Sequence, residues 1–410
     1  MKYIAVLGHG TVGSGVTELF IKNKKSIEKK AGMELDIKYI LDIRDFPDHP
    51  LADRFTKDFE QIVNDDDVAV VVEVIGGLDP AYSYVKRCLE SGKSVVTSNK
   101  ELVAAYGAEL LKIAKDNNLN FLFEASVGGG IPIIRPLSQC LSANELFEIA
   151  GILNGTTNYI LTKMISEGVS FESALATAQE LGYAERNPSA DVDGADSCRK
   201  ICILASLAFG QHIYPEQVHT EGIRNISLKD VEAAKSFGGV IKLIANATCL
   251  ENGKIQIFVA PCIVSKLSQL SHVEDVFNAI LVKGDAIGDV IFYGRGAGKM
   301  PTASAVVADV IDSVKHISRR KMIYWSEATE NCVEDFGTYE SSYYVRCHRN
   351  GDTARLVASA FGDVKYIEGY ADSEIAFITP IITENELRTK CAALAADGID
   401  TYSTIRVIDL

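Results

Sequence analysis

Apolar residues along the chain fall into short solid runs, separated by stretches in which they recur at helical spacing. Lys2–Leu7 is the first run, with the look of a strand buried on both faces. Val16, Leu19 and Phe20 follow at helical spacing. Further strands are expected over 36–43, 68–75, 94–97 and 119–123, with helices over 81–91 and 101–117. Strands alternating with helices imply right-handed crossovers and a parallel, doubly wound sheet, an α/β domain of Rossmann type. Ligands of such sheets bind beyond the C-terminal ends of the strands.

The pattern then changes. Segments 150–161 and 255–261 read as β-like, 171–180 and 228–234 as helices, and 201–209 as a helix buried on most sides. A mixed α+β domain over 135–298 is the expectation. Ala305, Val306, Ala308, Val310 and Ile311 make 299–320 a helix that returns to pack on the first domain. Beyond Gly337 the expected order is strand 342–348, helix 354–361, strands 364–369 and 374–381, helix 384–396 and strand 401–408. That β-α-β-β-α-β series is the ferredoxin-like split βαβ.

A chain of 410 residues exceeds one typical core, so several domains are expected. The net charge of −14 argues against non-specific nucleic-acid binding, which needs basic surface. It leaves room for an anionic cofactor in a locally positive pocket. No run approaches the ~18 apolar residues of a membrane span, and the opening MKYIAVLGHG lacks the layout of a signal peptide. The nine cysteines are scattered and none forms a CxxC pair, which points to a reducing, cytoplasmic setting. Cys198 and Cys202 lie four apart without a second pair of ligands nearby, so a structural zinc site is not expected.

Gly8-His9-Gly10-Thr11-Val12-Gly13 sits between the first strand and the first helix, the context a GxGxxG dinucleotide fingerprint needs. Gly8 permits the tight turn, Gly10 admits a pyrophosphate close to the backbone, and Gly13 lets helix pack on strand. The helix N-terminus then faces the negative charge. The bland alternative, a glycine-rich turn with no ligand, is weak in this position. At the end of the second strand stand Asp42, Arg44 and Asp45. An acid there holds ribose hydroxyls and an arginine favours a 2′-phosphate, so NAD and NADP both stay open. Gly76, Lys100 and Glu124 fall at the C-terminal ends of later strands. Position alone also allows Lys100 to be a surface lysine at a helix start.

The segment LGYAERNPSADVDGADSCRK at 181–200 gathers acids ahead of the buried helix. Asp196 lies near that helix's start, where a carboxylate is favoured, and Lys200 follows one turn later on the same face. The pair reads either as a capped helix with a surface ion pair or as a lysine tuned for proton transfer.

Seven motifs together resemble the homoserine dehydrogenase family: GHGTVG at 8–13, EVIGG at 73–77, VVTSNKELVA at 95–104, FEASVGGGIPII at 123–134, GILNGTTNYIL at 151–161, the 181–205 block, and GRGAGKMPTASAVVADVID at 294–312. The resemblance implies interconversion of L-homoserine and L-aspartate 4-semialdehyde with NAD or NADP, in threonine, methionine and isoleucine biosynthesis. It implies Lys200 as proton donor to the carbonyl oxygen, with Lys100 sharing the acid/base work. By the same resemblance, Glu185 and Asp196 are expected to hold the substrate, with Asp191 in support, and Gly8, Gly10, Thr11, Val12, Gly13, Arg44, Gly76, Lys100, Gly182 and Gly298 to contact the cofactor. Glu124, Val127, Gly129 and Ile131 match a structural sodium site, and oxygen ligation suits a hard cation.

The expected organisation is then a nucleotide-binding domain of 1–134 with 299–325, a substrate and dimerisation domain of 135–298, and an ACT-like domain of 338–410. A homodimer or higher homo-oligomer is implied. The ACT-like domain either senses an amino acid such as threonine or only dimerises, because the usual Asp-x-Pro-Gly turn is replaced by Arg349-Asn350-Gly351-Asp352. Two other readings of the whole chain stand beside this one: another Rossmann oxidoreductase of an amino or keto acid, and a regulatory nucleotide-binding protein that has lost catalysis. The acids of 181–200 and the intact Lys100, Asp196 and Lys200 speak for the enzyme.

Overall fold

The computed structural model describes residues 1–410 except 324 and 371–372. The chain divides into two compact units, one of 1–146, 199–215 and 284–330, the other of 147–198, 216–283 and 331–410.

The first unit begins with β1 (Lys2–Leu7), α1 (Thr11–Ala31), β2 (Leu35–Leu41), β3 (Phe55–Thr56) and α2 (Phe59–Val63). It continues through β4 (Val68–Glu73), α3 (Ala81–Glu90), β5 (Ser94–Thr97), α4 (Lys100–Asp116) and β6 (Phe121–Leu122). The strands are parallel throughout, in the order β3-β2-β1-β4-β5-β6. Residues 94–97 form a strand as expected, whereas only Phe121–Leu122 of 119–123 pairs. The order reverses direction between β1 and β4, which opens a crevice at their C-terminal ends. Ile4, Val6, Val70, Val72 and Val96 are wholly buried there with Val16 and Phe20 of α1.

The second unit takes up β7 (Leu146–Ile152), α5 (Gly155–Glu167), α6 (Phe171–Glu180), α7 (Ser189–Val192) and the start of α8 (Ala195–Phe209). Then come β8 (His219–Thr220), α9 (Leu228–Ser236), β9 (Gly239–Cys249), β10 (Ile255–Ser265) and β11 (Phe277–Gly284). The β-like reading of 150–161 is corrected. Only its first residues lie in β7; Asn154 turns the chain and accepts a hydrogen bond from the Thr157 amide, starting α5. Tyr159, Ile160 and Leu161 of that run are buried helix residues.

After strand β12 (Gly288–Arg295), helix α10 (Lys299–Lys315) packs on α1 inside the first unit, as its apolar spacing predicts. A Cβ on Gly15 would stand 2.9 Å from Ala303 Cβ, so the glycine sets this close approach. The segment that follows belongs to the second unit: β13 (Glu340–His348), α11 (Thr353–Phe361), β14 (Lys365–Ile367), β15 (Glu374–Ile378), β16 (Ile382–Thr383), α12 (Glu384–Ala396) and β17 (Thr401–Ile408). Its strands lie in the order β17-β13-β15-β14, that of the split βαβ. Alternation along β13 sends Tyr343, Val345 and Cys347 into the core with α11 and α12. Tyr344 and Arg346 take the other face and reach Asp230 on α9. β17 also pairs in parallel with β10, so one sheet runs β11-β7-β9-β10-β17-β13-β15-β14.

Candidate active site

The glycine turn after β1 is built as a dinucleotide cradle. Gly8 has φ +99°, and a Cβ there would stand 2.9 Å from Val74 O. A Cβ on Gly13 would stand 2.0 Å from Gly8 O, so both positions exclude a side chain. Gly10 differs: nothing lies within 4 Å of a Cβ built on it. It is the N-cap of α1, followed by Thr11 and Val12 in the first turn, so this helix end offers its amides to an open face. The second glycine turn, Gly76 with Gly77, leaves the end of β4 with φ of +84° and +69° and is likewise open.

Asp42 fastens the first turn to the end of β2. One carboxylate oxygen accepts the His9 amide at 2.8 Å, and both take Arg44 donors: the backbone amide at 2.9 Å, Nε and Nη2 at 3.0 Å. The Arg44 guanidinium therefore holds the Asp42 carboxyl well below the usual carboxylate range. Of the two residues that leave NAD and NADP open in the sequence, Asp42 has its oxygens occupied by four donors, while the side chain of Arg44 is 58% exposed. The His9 ring backs the turn, edge-on to Phe46, His49 and Phe55, and burial lowers its pKa.

Lys100 is the first residue of α4, and Asn99 caps that helix through the Leu102 amide at 3.1 Å. Its neighbour Glu101 accepts Arg199 Nη2 at 3.0 Å, and Arg199 directly precedes Lys200 on α8. One ion pair thus brings the two helix segments carrying the lysines together inside the first unit. Lys200 is 6% exposed, which removes the surface ion-pair reading of the sequence. Gly298, with φ +130°, is the N-cap of α10 in the same unit.

Glu124, Val127, Gly129 and Ile131 lie in one buried turn of the first unit. A Cβ on Gly129 would stand 2.4 Å from Gly296 O, so the turn is tight. The Glu124 carboxylate accepts three backbone amides, of Ile133 at 2.6 Å, Ile134 at 2.9 Å and Arg135 at 2.9 Å. Its side chain is spent on the following turn, so oxygen ligation here would fall to backbone carbonyls. Among the described residues, no group of three or more His, Cys, Asp or Glu side chains is placed to hold a metal.

In the second unit, Asn154 is the residue that sequence reasoning missed. Its amide nitrogen donates to Asp191 Oδ1 at 2.7 Å and to Asp196 Oδ2 at 2.9 Å. Its carbonyl oxygen accepts the Thr157 amide at 2.9 Å and Thr157 Oγ1 at 3.1 Å, which fixes the orientation of the group. Two carboxylates 37 and 42 residues away are gathered by one side chain, and Asp196 is only 4% exposed. Glu185 is exposed on the loop after α6, as is Gly182 with φ +75°. The hydrogen bonds of Asn154 gather Asp191 and Asp196 but not Glu185.

Residues 8–124 match a family model described as the NAD binding domain of homoserine dehydrogenase, and residues 132–311 one described as homoserine dehydrogenase. The chain is 47% identical over 320 residues to a homoserine dehydrogenase of Synechocystis sp., covering 76% of this chain and 73% of that one. A crystal structure of a homoserine dehydrogenase from Thiobacillus denitrificans is similar over 100% of this chain and 98% of its own, with TM-score 0.90 and 33% identity. A hyperthermophilic archaeal homoserine dehydrogenase in complex with NADPH matches 76% of this chain and 98% of its own, with TM-score 0.64 and 31% identity.

Proposed function

Because the chain belongs to the homoserine dehydrogenase family, we propose that its Asn154 cluster binds the ammonium of L-homoserine and that Lys200 handles the proton of the reacting oxygen. It is an oxidoreductase with an NAD-binding domain. The observation that carries the reading of the site is the pairing of Asp191 and Asp196 on one amide group. Two carboxylates gathered at one amide make a locally negative point, and an α-ammonium is the cation an amino-acid substrate brings to it. Glu185, exposed nearby in sequence, supplies a further contact to that end of the substrate.

The nicotinamide, when bound, supplies or accepts the hydride. The chain's own residues do the rest. Lys200 gives a proton to the carbonyl oxygen as the aldehyde is reduced and withdraws it in the reverse direction. It lies four residues after Asp196 in the sequence of α8. Lys100, at the start of α4, shares the acid/base work at the cofactor side. Gly10, Thr11, Val12, Gly13, Gly76 and Gly298 line the dinucleotide. Arg44, exposed beside a saturated Asp42, favours NADP over NAD, since a 2′-phosphate gains the guanidinium while a ribose diol finds few acceptors left.

Carbonyls of the Glu124, Val127, Gly129 and Ile131 turn hold a structural sodium ion. The protein works as a homodimer or a larger homo-oligomer in the cytoplasm. Separately, no helix among the described residues is long and apolar enough to cross a membrane. The split βαβ order of the 338–410 segment supports an ACT-like domain, which either senses an amino acid such as threonine or only dimerises. The test is initial-rate nicotinamide absorbance with L-homoserine, with NAD and NADP in parallel, with and without threonine. Turnover preferring NADP is expected. A folded sample that binds a cofactor yet turns over neither pairing would sink the substrate assignment, and rates unmoved by threonine would remove the sensing role.

A further inference from the structure

One buried carboxyl in the first unit has no part in the chemistry above. Glu73 ends β4 at the C-terminal edge of the parallel sheet and is wholly buried. A carboxyl in such a place is costly unless its oxygens are satisfied, and here the partners form a closed circuit. Oε1 accepts the Ile75 amide at 2.8 Å and the Gly76 amide at 3.3 Å. Oε2 accepts Thr97 Oγ1 at 2.5 Å, from the residue paired with Glu73 across β4 and β5.

The Thr97 hydroxyl has one proton, and it goes to Glu73. Its oxygen is therefore turned toward the Asn99 amide, which it accepts at 2.9 Å. Asn99 closes the circuit by donating its side-chain amide to Gly77 O at 2.6 Å, while its own oxygen caps α4. Burial pushes the Glu73 carboxyl up, against these hydrogen bonds. The same circuit thus fixes two things: the open Gly76-Gly77 turn, and the residue immediately before Lys100.

We propose that Glu73 is a positioning residue, holding the cofactor-facing turn and the first residue of α4 in one register through Thr97 and Asn99. The proposal rests on the roles given above to Gly76 and Lys100. Glu73→Gln keeps shape and one acceptor, but presents an N–H to Thr97 Oγ1 and leaves the threonine proton without its carboxylate. Thr97→Val removes the hydroxyl and leaves Glu73 intact, and Thr97→Ser restores it.

Reduced-nicotinamide binding by fluorescence, kcat, and the pH profile of kcat are measured for these variants, with thermal melting as a control. E73Q and T97V are each expected to weaken cofactor binding several-fold and lower kcat about tenfold, the scale of a hydrogen bond to a charged group. The limb of the kcat profile set by the lysine moves with them, and T97S stays within about twofold of the parent. Binding and kcat both within about twofold in E73Q and T97V would overturn the proposal. So would a T97S as impaired as T97V. Should E73Q fail to fold, the two Thr97 variants decide alone. Lys100→Met separates the underlying reading: if it turns over normally, the lysine role fails, and Glu73 then stands or falls on cofactor binding measured without turnover.

Discussion

Asn154→Ser is the substitution with the sharpest expected consequence. Serine keeps the N-cap of α5, since its hydroxyl can take the Thr157 amide in place of the Asn154 oxygen, so the helix should lose at most a few tenths of a kcal/mol. What disappears is the amide nitrogen, with its bonds to Asp191 at 2.7 Å and Asp196 at 2.9 Å. Hydrogen bonds to charged groups contribute about 1.5–3 kcal/mol each. Water will replace part of that loss, which leaves about 2–3 kcal/mol of disorder and repulsion at the substrate acids. Expressed in kcat/KM for L-homoserine, this is about 30- to 150-fold. The split matters as much as the size. The loss should fall on the homoserine KM and on kcat, while cofactor affinity, set in the first unit, stays unchanged. Initial rates across homoserine concentrations at saturating cofactor, with reduced-nicotinamide fluorescence in parallel, give both numbers. A kcat/KM within about threefold of the parent, in a variant that melts normally, would show that the two aspartates do not need their shared donor.

Three further outcomes follow from the same structure. Lys200→Ala should lower kcat by about 10²–10⁴-fold with cofactor binding intact; turnover within about tenfold would move the proton to Lys100. Gly10→Ala adds a Cβ that meets no protein atom within 4 Å, at a φ of −79° that alanine tolerates. Its melting temperature should hold while the cofactor Kd rises, and an unchanged Kd would remove the pyrophosphate from that face. Lys242 is 2% exposed on β9, donates to Asn158 Oδ1 at 3.1 Å and to Val273 O, and burial lowers its pKa to about 8 from 10.5. Between those values the unfolded chain binds a proton that the folded chain does not, so this group makes stability rise with pH from about 8 to 10.5. The difference in unfolding free energy between parent and Lys242→Met, followed across that range, should grow in the parent's favour, and a flat difference would refute the assignment.

Legibility from sequence tracks the distance over which each feature is made. The strands of the first unit are written in local apolar runs, and Lys2–Leu7 and Ser94–Thr97 carry their own boundaries. The glycine turn is local only in part: Gly13 excludes a side chain through Gly8 O five residues back, whereas Gly8 does so against Val74 on the neighbouring strand's exit. The misreading of 150–161 has a plain cause. A buried strand and a buried helix adjoin there, and apolar content alone cannot separate period two from period 3.6 over so few residues. The signal that could have found the break was Asn154-Gly155, an N-cap residue in mid-run. Nothing local, however, announces that Asn154 reaches Asp191 and Asp196, or that Arg199 meets Glu101 from 98 residues away. The saturation of Asp42 is different: Arg44, two residues on, supplies three of its donors and stands in plain view, and only the pairing of the two side chains and the His9 amide needed the fold.

The last 70 or so residues read as a module of their own in sequence, yet their charges are cut to fit the rest of the second unit. Asp230 on α9 is wholly buried and receives both Tyr344 Oη and Arg346 Nε at 3.1 Å. Arg406 on β17 bridges Glu221 and Glu384, each at 2.8 Å. Burial raises the Glu221 carboxyl, but hydrogen bonds from His219 and Arg406 outweigh it and bring the group down to about 2. A buried ion pair adds little net stability over apolar packing, but stranding one partner costs about 3–5 kcal/mol. The acids of 216–283 therefore penalise any arrangement that withdraws β13 or β17, and the parallel register of β10 on β17 penalises it again through lost backbone bonds. These interactions act less as glue than as a lock on one register, which is why the segment shares a sheet with β10 instead of hanging beside it.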